Sequence, residues 1–298
     1  MVKHLKYDMC TKFIINADDL GLNPIVNKAI DDAFSKNEIS SSTIMANSDY
    51  LDEVMNIVSK YPNVSFGCHL TLTEGRSISN NKLFYDIGFV DDSGCFLKSN
   101  AFLIKDALDE ALLNAIKEEW DEQLTLLEDR GVHISHVDGH HHCHTWKGLE
   151  SVLLGVLNKH NLCKVRAKYR YPILKEISLK RRILGKIGRT MLKSGLYNAY
   201  NHKKTGYINS RIIEYQNIDL FDEILLKNNK IRTIYFGEYK KYYELKIAHQ
   251  IILGNNSTIE LMCHPGHPNY LDEMRLVSEN AIGIGQETDS IMITYNDL

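Results

Sequence analysis

The 298-residue chain carries 35 Lys and Arg against 38 Asp and Glu, and its formal net charge of −3 gives no general attraction for nucleic acid. Hydrophobic residues make up 44% and charged residues 24%, as in an ordinary soluble globular protein, and 5 Pro with 18 Gly exclude collagen-like and low-complexity chains. The opening MVKHLKYDMC leads into an apolar stretch too short for a signal peptide and no run could span a membrane, so a cytoplasmic protein with no membrane partner is expected.

Lys12 to Ala17 (KFIINA) reads as a short apolar strand that breaks at Asp18-Asp19-Leu20-Gly21. Asn23 suits the N-cap, and Pro24 the first position, of the helix that follows. Ile39 to Ala46 is a second strand and Asp49 to Lys60 a helix. In the strand Val64 to Leu72, Val64, Phe66, Cys68, Leu70 and Leu72 share one face, while Ser65, Gly67, His69 and Thr71 share the other. Residues 76 to 100 read as a loop, and residues 104 to 130 as a long amphipathic helix stopped by Gly131. Val132 to Val137 is a strand that runs into Asp138-Gly139-His140-His141-His142, with a helix over Trp146 to Lys159. Ile231 to Phe236, Ser257 to Cys263 and Ser290 to Thr294 are later strands.

This alternation predicts an α/β fold with a mostly parallel sheet in a single domain spanning 1–298. Periodicity does not choose between an open sheet and a closed barrel. The stretch from 164 to 193 differs, with Lys164, Arg166, Lys168, Arg170 and seven further basic residues against the single acid Glu176. It reads as the solvated helical face of an insertion; the alternative is an electropositive rim for an anionic substrate.

Four polar clusters sit at or just past the ends of predicted strands: Asp18-Asp19, His69, Asp138 to His144, and His264 with His267. In parallel α/β architectures these strand ends gather on one face, where active sites form. Each cluster also has an ordinary explanation. The Asp pair suits a turn that caps a helix, His69 a satisfied core residue, and His264 a rigid Pro/Gly turn. The segment His133-Ile-Ser-His136-Val-Asp138-Gly-His140-His141-His142-Cys-His144 is more specific, with six of the chain's 13 histidines. Neutral imidazole is the commonest metal ligand, and a mid-chain position argues against a purification tag. The six cysteines form no C-x-x-C pair and read as reduced thiols. Alternation turns Cys68 and Cys263 away from His69 and His264, while Cys143 stays undecided between packing and ligation.

The segments Asn16-Ala-Asp18-Asp19-Leu-Gly21, Gly67-Cys-His69-Leu-Thr-Leu-Thr73, His136-Val-Asp138-Gly-His140-His141-His142-Cys-His144 and Cys263-His264-Pro-Gly266 resemble the signatures of the YdjC-like carbohydrate deacetylases, which include the chitooligosaccharide deacetylases. The resemblance spans residues 16 to 266, with Leu20 where Phe is more usual and Gly139 where Ser is common. It implies a TIM-like, irregular (β/α) barrel. It further implies one divalent metal ion on Asp19, His69 and His140, Asp18 as general base and His264 as the acid or transition-state stabiliser. The expected reaction removes the acetyl group from a small N-acetylated sugar, one that the basic stretch would suit if anionic.

The family is associated with Mg²⁺, whereas two imidazoles and a carboxylate suit Zn²⁺, Mn²⁺, Co²⁺ or Fe²⁺ better. A metal-dependent phosphoesterase on the same barrel, with two metals, is the alternative enzyme, and a sugar-binding protein the non-catalytic one. The ligand spacing does not fit the H-x-D pattern of iron oxygenases. A homodimer is the base-rate expectation.

Overall fold

The computed structural model describes residues 11–101, 104, 108–170, 231–236, 258–270, 273–286 and 290–298. Chain contacts divide into two compact units, 1–169 with 218–298, and 170–217. The described residues belong almost wholly to the first. Residues 171–193 of the basic stretch lie outside them, as does any electropositive rim they would form.

The chain alternates strand and helix as expected. It runs β1 (Thr11–Leu20), α1 (Pro24–Ser35), β2 (Ser41–Ile44), α2 (Leu51–Lys60), β3 (Ser65–Leu70), α3 (Lys82–Asp86), α4 (Glu110–Asp129) and β4 (Ile134–Gly139). Then come α5 (Glu150–Lys159), β5 (Lys164–Arg170), β6 (Ile231–Phe236), β7 (Thr258–Cys263), α6 (Glu273–Gln286) and β8 (Ser290–Met292). The strands form one sheet in the order β2-β3-β4-β5-β6-β7-β1-β8, with β1 also pairing with β2. The recorded registers between named strands are parallel. This is an α/β fold on a strongly curled parallel sheet. It is not a regular eight-stranded TIM barrel, because β1 pairs directly with β7 and meets β8 at its first residues.

Local chemistry sets the element boundaries. Asn23 Oδ1 accepts the backbone N–H groups of Ile25 and Val26, each at 3.0 Å, and caps α1 just ahead of Pro24. Gly131 takes a positive φ of 83° just beyond α4, as its role as a helix stop requires. That helix starts at Glu110, not 104, because Asp109 caps it by accepting the Leu112 N–H at 2.8 Å. The stretch read as a loop over 76–100 contains the short α3, capped by Asn81. Residues 164–170, read as part of a helical face, form β5 instead.

Strand alternation sorts the sheet into an apolar and a polar face. Phe13, Ile15 and Ala17, Phe66, Cys68 and Leu70, and Leu261 and Cys263 are buried on one side. Each large apolar side chain so buried contributes about 1.5–3 kcal/mol. The covering helices supply the partners: α1 buries Val26, Ile30 and Phe34, and Phe34 meets Phe66 edge-on at 5.6 Å. The other face carries Asn16 and Asp18, Thr43, Gly67 and His69, His136 and Asp138, Arg166, and Glu260, and its polar members are buried as well. Tyr295 closes the foot of this polar interior, stacked on His136 at 3.5 Å between ring centroids. Among the described residues no helix is long and apolar enough to cross a membrane.

Candidate metal centre

The strand ends bring the four clusters together. In β1 the register against β2 shifts between Ala17 and Leu20. The extra residue is a bulge, and Asp19 takes a φ of 69° within it. Such bulges re-aim side chains beside active sites. Here the bulge frees Asp19 from strict alternation, so it can join His69 and His140 while Asp18 stays on the polar face.

Asp19 Oδ1 lies 3.1 Å from His69 Nε2 and 2.8 Å from His140 Nδ1. One ligand atom from each of these residues falls within 4.8 Å of the others, and all three side chains are buried. Burial alone would raise the Asp19 pKa, but hydrogen bonds from His140 and His69 outweigh it and hold the carboxyl well below its ordinary range.

The far side of the His69 ring is fixed. His69 Nδ1 meets Asp138 Oδ1 at 2.6 Å, and the Thr43 hydroxyl donates to Asp138 Oδ2 at 3.0 Å. Register places His69 opposite Asp138 across β3 and β4. A carboxylate on one imidazole nitrogen orients the ring and leaves the other nitrogen to a metal. Burial lowers the His69 pKa, but Asp138 and Asp19 more than reverse it, to about 10. Two imidazoles and one carboxylate, with a carboxylate behind one imidazole, are a donor set that fits a divalent cation.

Asp18 is not the free carboxylate that a base beside a metal suggests. Arg166 Nη1 donates to Asp18 Oδ2 at 2.7 Å and Nη2 to Oδ1 at 2.6 Å, while Asn16 Nδ2 donates to Oδ1 at 2.9 Å. Burial pushes the Asp18 pKa up, but the guanidinium dominates and keeps it far below the ordinary carboxylate range. Arg166 also reaches Asp138 Oδ2 at 2.7 Å and Glu260 Oε1 at 2.6 Å. Glu260 in turn accepts the Tyr295 hydroxyl at 2.6 Å. Arg166 is 1% exposed. The expectation of a solvated basic face is therefore wrong for this residue: it is the buried counter-ion of the site. Its signal was present in Lys164-Val-Arg166-Ala-Lys168, a period-two alternation proper to a strand.

His264 stands just past β7 in the Cys-His-Pro-Gly turn. Its backbone N–H donates to Glu273 Oε2 at 2.7 Å, its Nδ1 is 3.5 Å from Glu273 Oε1, and its ring stacks on Tyr270 at 4.6 Å. Burial lowers its pKa, but Glu273, Asp18 and Asp19 raise it overall. Gly266 holds a φ of 76°, and a Cβ there would come within 2.9 Å of the Ile25 carbonyl oxygen and the Ala29 side chain. This close approach seats the turn on the start of α1, next to the Asp18-Asp19 bulge.

The rest of the histidine segment divides. His141 and His142 take positive φ values of 51° and 56°, and His141 Nδ1 lies 2.7 Å from the Thr73 hydroxyl. His136 is buried, and its pKa is depressed by burial and by Arg166. Cys143 donates to the Leu70 carbonyl at 3.0 Å, and burial raises its thiol pKa. Cys68 and Cys263 are buried on the apolar face, as alternation predicts.

A carbohydrate deacetylase of Halalkalibacterium halodurans is 35% identical over 163 residues, covering 54% of this chain and 65% of that protein. A carbohydrate deacetylase of Thermoanaerobacter pseudethanolicus is 31% identical over 149 residues, covering 50% of this chain and 57% of that protein. The matched part of the chain thus spans less than two thirds of either relative's length. A crystal structure from Enterococcus faecalis V583, provisionally assigned as a cellobiose-phosphate cleavage protein, superposes with a TM-score of 0.62 at 20% identity. It covers 97% of this chain and 98% of its own, and so shares the fold. The family model described as YdjC-like protein matches residues 12–290, a span that includes all four polar clusters, and the chain belongs to that family.

Proposed function

We propose that this chain is a metal-dependent hydrolase that removes the acetyl group from an N-acetylated sugar, giving acetate and an amino sugar. The observation that carries the reading is Asp19 Oδ1 standing between His69 Nε2 and His140 Nδ1, 3.1 and 2.8 Å away, with a second carboxylate on the neighbouring residue. The relatives' name, carbohydrate deacetylase, supplies the substrate class. In this reading the sheet closes into an irregular (β/α) barrel with the site at its mouth.

Asp19, His69 and His140 would hold one divalent cation, and two imidazoles favour a transition metal over Mg²⁺. When bound, such an ion lowers the pKa of a water and polarises the acetamide carbonyl. Asp138 keeps the His69 ring in place by holding Nδ1. Asp18 accepts the proton of the attacking water. Arg166 keeps it ionised for that task, and a carboxylate that receives two guanidinium N–H groups retains lone pairs for a further proton. The water oxygen bonds to the acetyl carbon, the C–N bond breaks, and the amine takes a proton from His264. With Nδ1 turned to Glu273, the opposite nitrogen Nε2 is left for that transfer. Proton transfer of this kind is worth about 10²–10⁴-fold.

The test is acetate release from a panel of N-acetylated sugars, with and without a phosphate group, after chelation and metal add-back. Metal-dependent acetate release is expected. Hydrolysis of p-nitrophenyl phosphate without acetate release would replace this reading with a phosphoesterase.

A further inference from the structure

A second group of potential metal ligands lies beside the first. Asp18, His69 and Asp138 also bring one ligand atom each within 4.8 Å of the others, and all three are buried. Glu260 adds a further buried carboxylate. Carboxylates this close form the usual setting of a two-metal centre, the arrangement that phosphoester hydrolysis exploits. Here a positive group already sits among them. Arg166 Nη2 lies 2.6 Å from Asp18 Oδ1, 2.7 Å from Asp138 Oδ2 and 2.6 Å from Glu260 Oε1, and Nε donates to Glu260 Oε1 at 2.8 Å. The guanidinium is fixed, permanently charged and planar. It neutralises the same oxygens that a second cation would need, and it occupies the space such an ion would fill.

We propose that Arg166 stands in for a second metal ion and holds this centre to one cation per chain. The inference rests on the reading that Asp19, His69 and His140 bind a metal, and it deepens that reading by giving the structural reason why the centre suits amide hydrolysis over two-metal phosphoester chemistry. It also gives Arg166 a role besides orienting Asp18: deciding metal stoichiometry. Truncating it removes the positive charge shared by the Asp18, Asp138 and Glu260 carboxylates, whose oxygens would then suit a hard ion such as Mn²⁺.

The experiment is equilibrium dialysis of the native chain, Arg166→Ala and Arg166→Lys against Mn²⁺, with metal counted by elemental analysis and the two-ion state detected by electron paramagnetic resonance. One Mn²⁺ is expected in the native chain and in Arg166→Lys, which keeps the charge. Arg166→Ala should take up two, and the second should broaden the spectrum of the first through spin–spin coupling. Adding Asp138→Asn to Arg166→Ala should abolish the second uptake. Arg166→Gln, which fills more of the space, provides the same reading if Arg166→Ala does not fold by circular dichroism. A folded Arg166→Ala or Arg166→Gln that still binds a single ion would overturn the inference. A second, spin-coupled Mn²⁺ in the native chain would overturn it without any variant. Acetate release is read separately: a change from one ion to two in a chain that releases no acetate removes the deacetylase reading alone, whereas unchanged stoichiometry in an active deacetylase removes this inference alone.

Discussion

At the scale of single residues the site divides into side chains that would hold an ion and side chains that would move protons. His69→Ala and His140→Ala should therefore lose metal and activity together, because each removes one of three donors. Asp18→Asn should behave differently. It leaves the three metal donors in place and replaces one of the two oxygens that accept from Arg166 with an NH₂ group, so metal content should stay near native while kcat for acetate release falls by about 10²–10⁴-fold. Metal analysis beside steady-state kinetics separates the two classes, and near-normal turnover in Asp18→Asn would remove Asp18 from the role of base. The convergence of Asp18, Asp19, His69, His140 and His264 was legible because each is a polar residue at the end of an apolar strand. Arg166 was not. A cluster of basic residues looks like surface, and only its alternation with Val165 marked a strand whose inward side chain meets carboxylates from β1, β4 and β7.

At the scale of elements the polar face of the sheet is tightly packed. A Cβ added at Gly67 on β3 would lie 2.6 Å from the His136 ring and 2.7 Å from its carbonyl oxygen. Gly67→Ala should destabilise the fold by about 1–3 kcal/mol, read as a shift in denaturant midpoint, and should disturb His69 two residues along. An unchanged midpoint would mean that β3 and β4 can move apart. The helices are tied by a surface latch: Asp31 on α1 accepts from Lys60 Nζ and from the Tyr61 hydroxyl, each at 2.8 Å. Burial raises the Asp31 pKa, but hydrogen bonds from Lys60 and Tyr61 bring it below its usual value. A depressed carboxylate contributes stability that is present above its ordinary pKa of about 3.9 and is lost as pH falls through the folded value. Asp31→Asn should accordingly lower the melting temperature near neutral pH, by the equivalent of about 0.2–1 kcal/mol. The gap from the native chain should narrow as pH falls below about 3.9 and close once the folded Asp31 carboxyl is protonated. A gap that persisted in acid would assign the effect to packing.

At the scale of the whole molecule the unusual feature is a polar inner face behind an apolar outer one, among the described residues. The outer face follows the rule that parallel strands bury apolar side chains beneath helices. The inner face instead runs from Tyr295 at its foot through Glu260 and Arg166 to Asp18, Asp138 and His69 at its mouth. Strand–helix alternation and a parallel sheet followed from periodicity and caps, whereas the strand order did not. Nor did the curl of the sheet, because a pairing such as β1 with β2 leaves no mark in the periodicity of either strand. The bulge at Asp18-Asp19 was likewise invisible, since one extra residue leaves no trace in an apolar stretch that ends there.

The proposed chemistry needs one cation among Asp19, His69 and His140, and anomalous diffraction from crystals soaked in Mn²⁺ or Zn²⁺ tests that directly. One strong peak should appear about 2.0–2.2 Å from the Asp19 carboxylate and from one ring nitrogen each of His69 and His140. A peak elsewhere with this triad unmoved, or no peak at all in crystals of a chain that releases acetate, would contradict it.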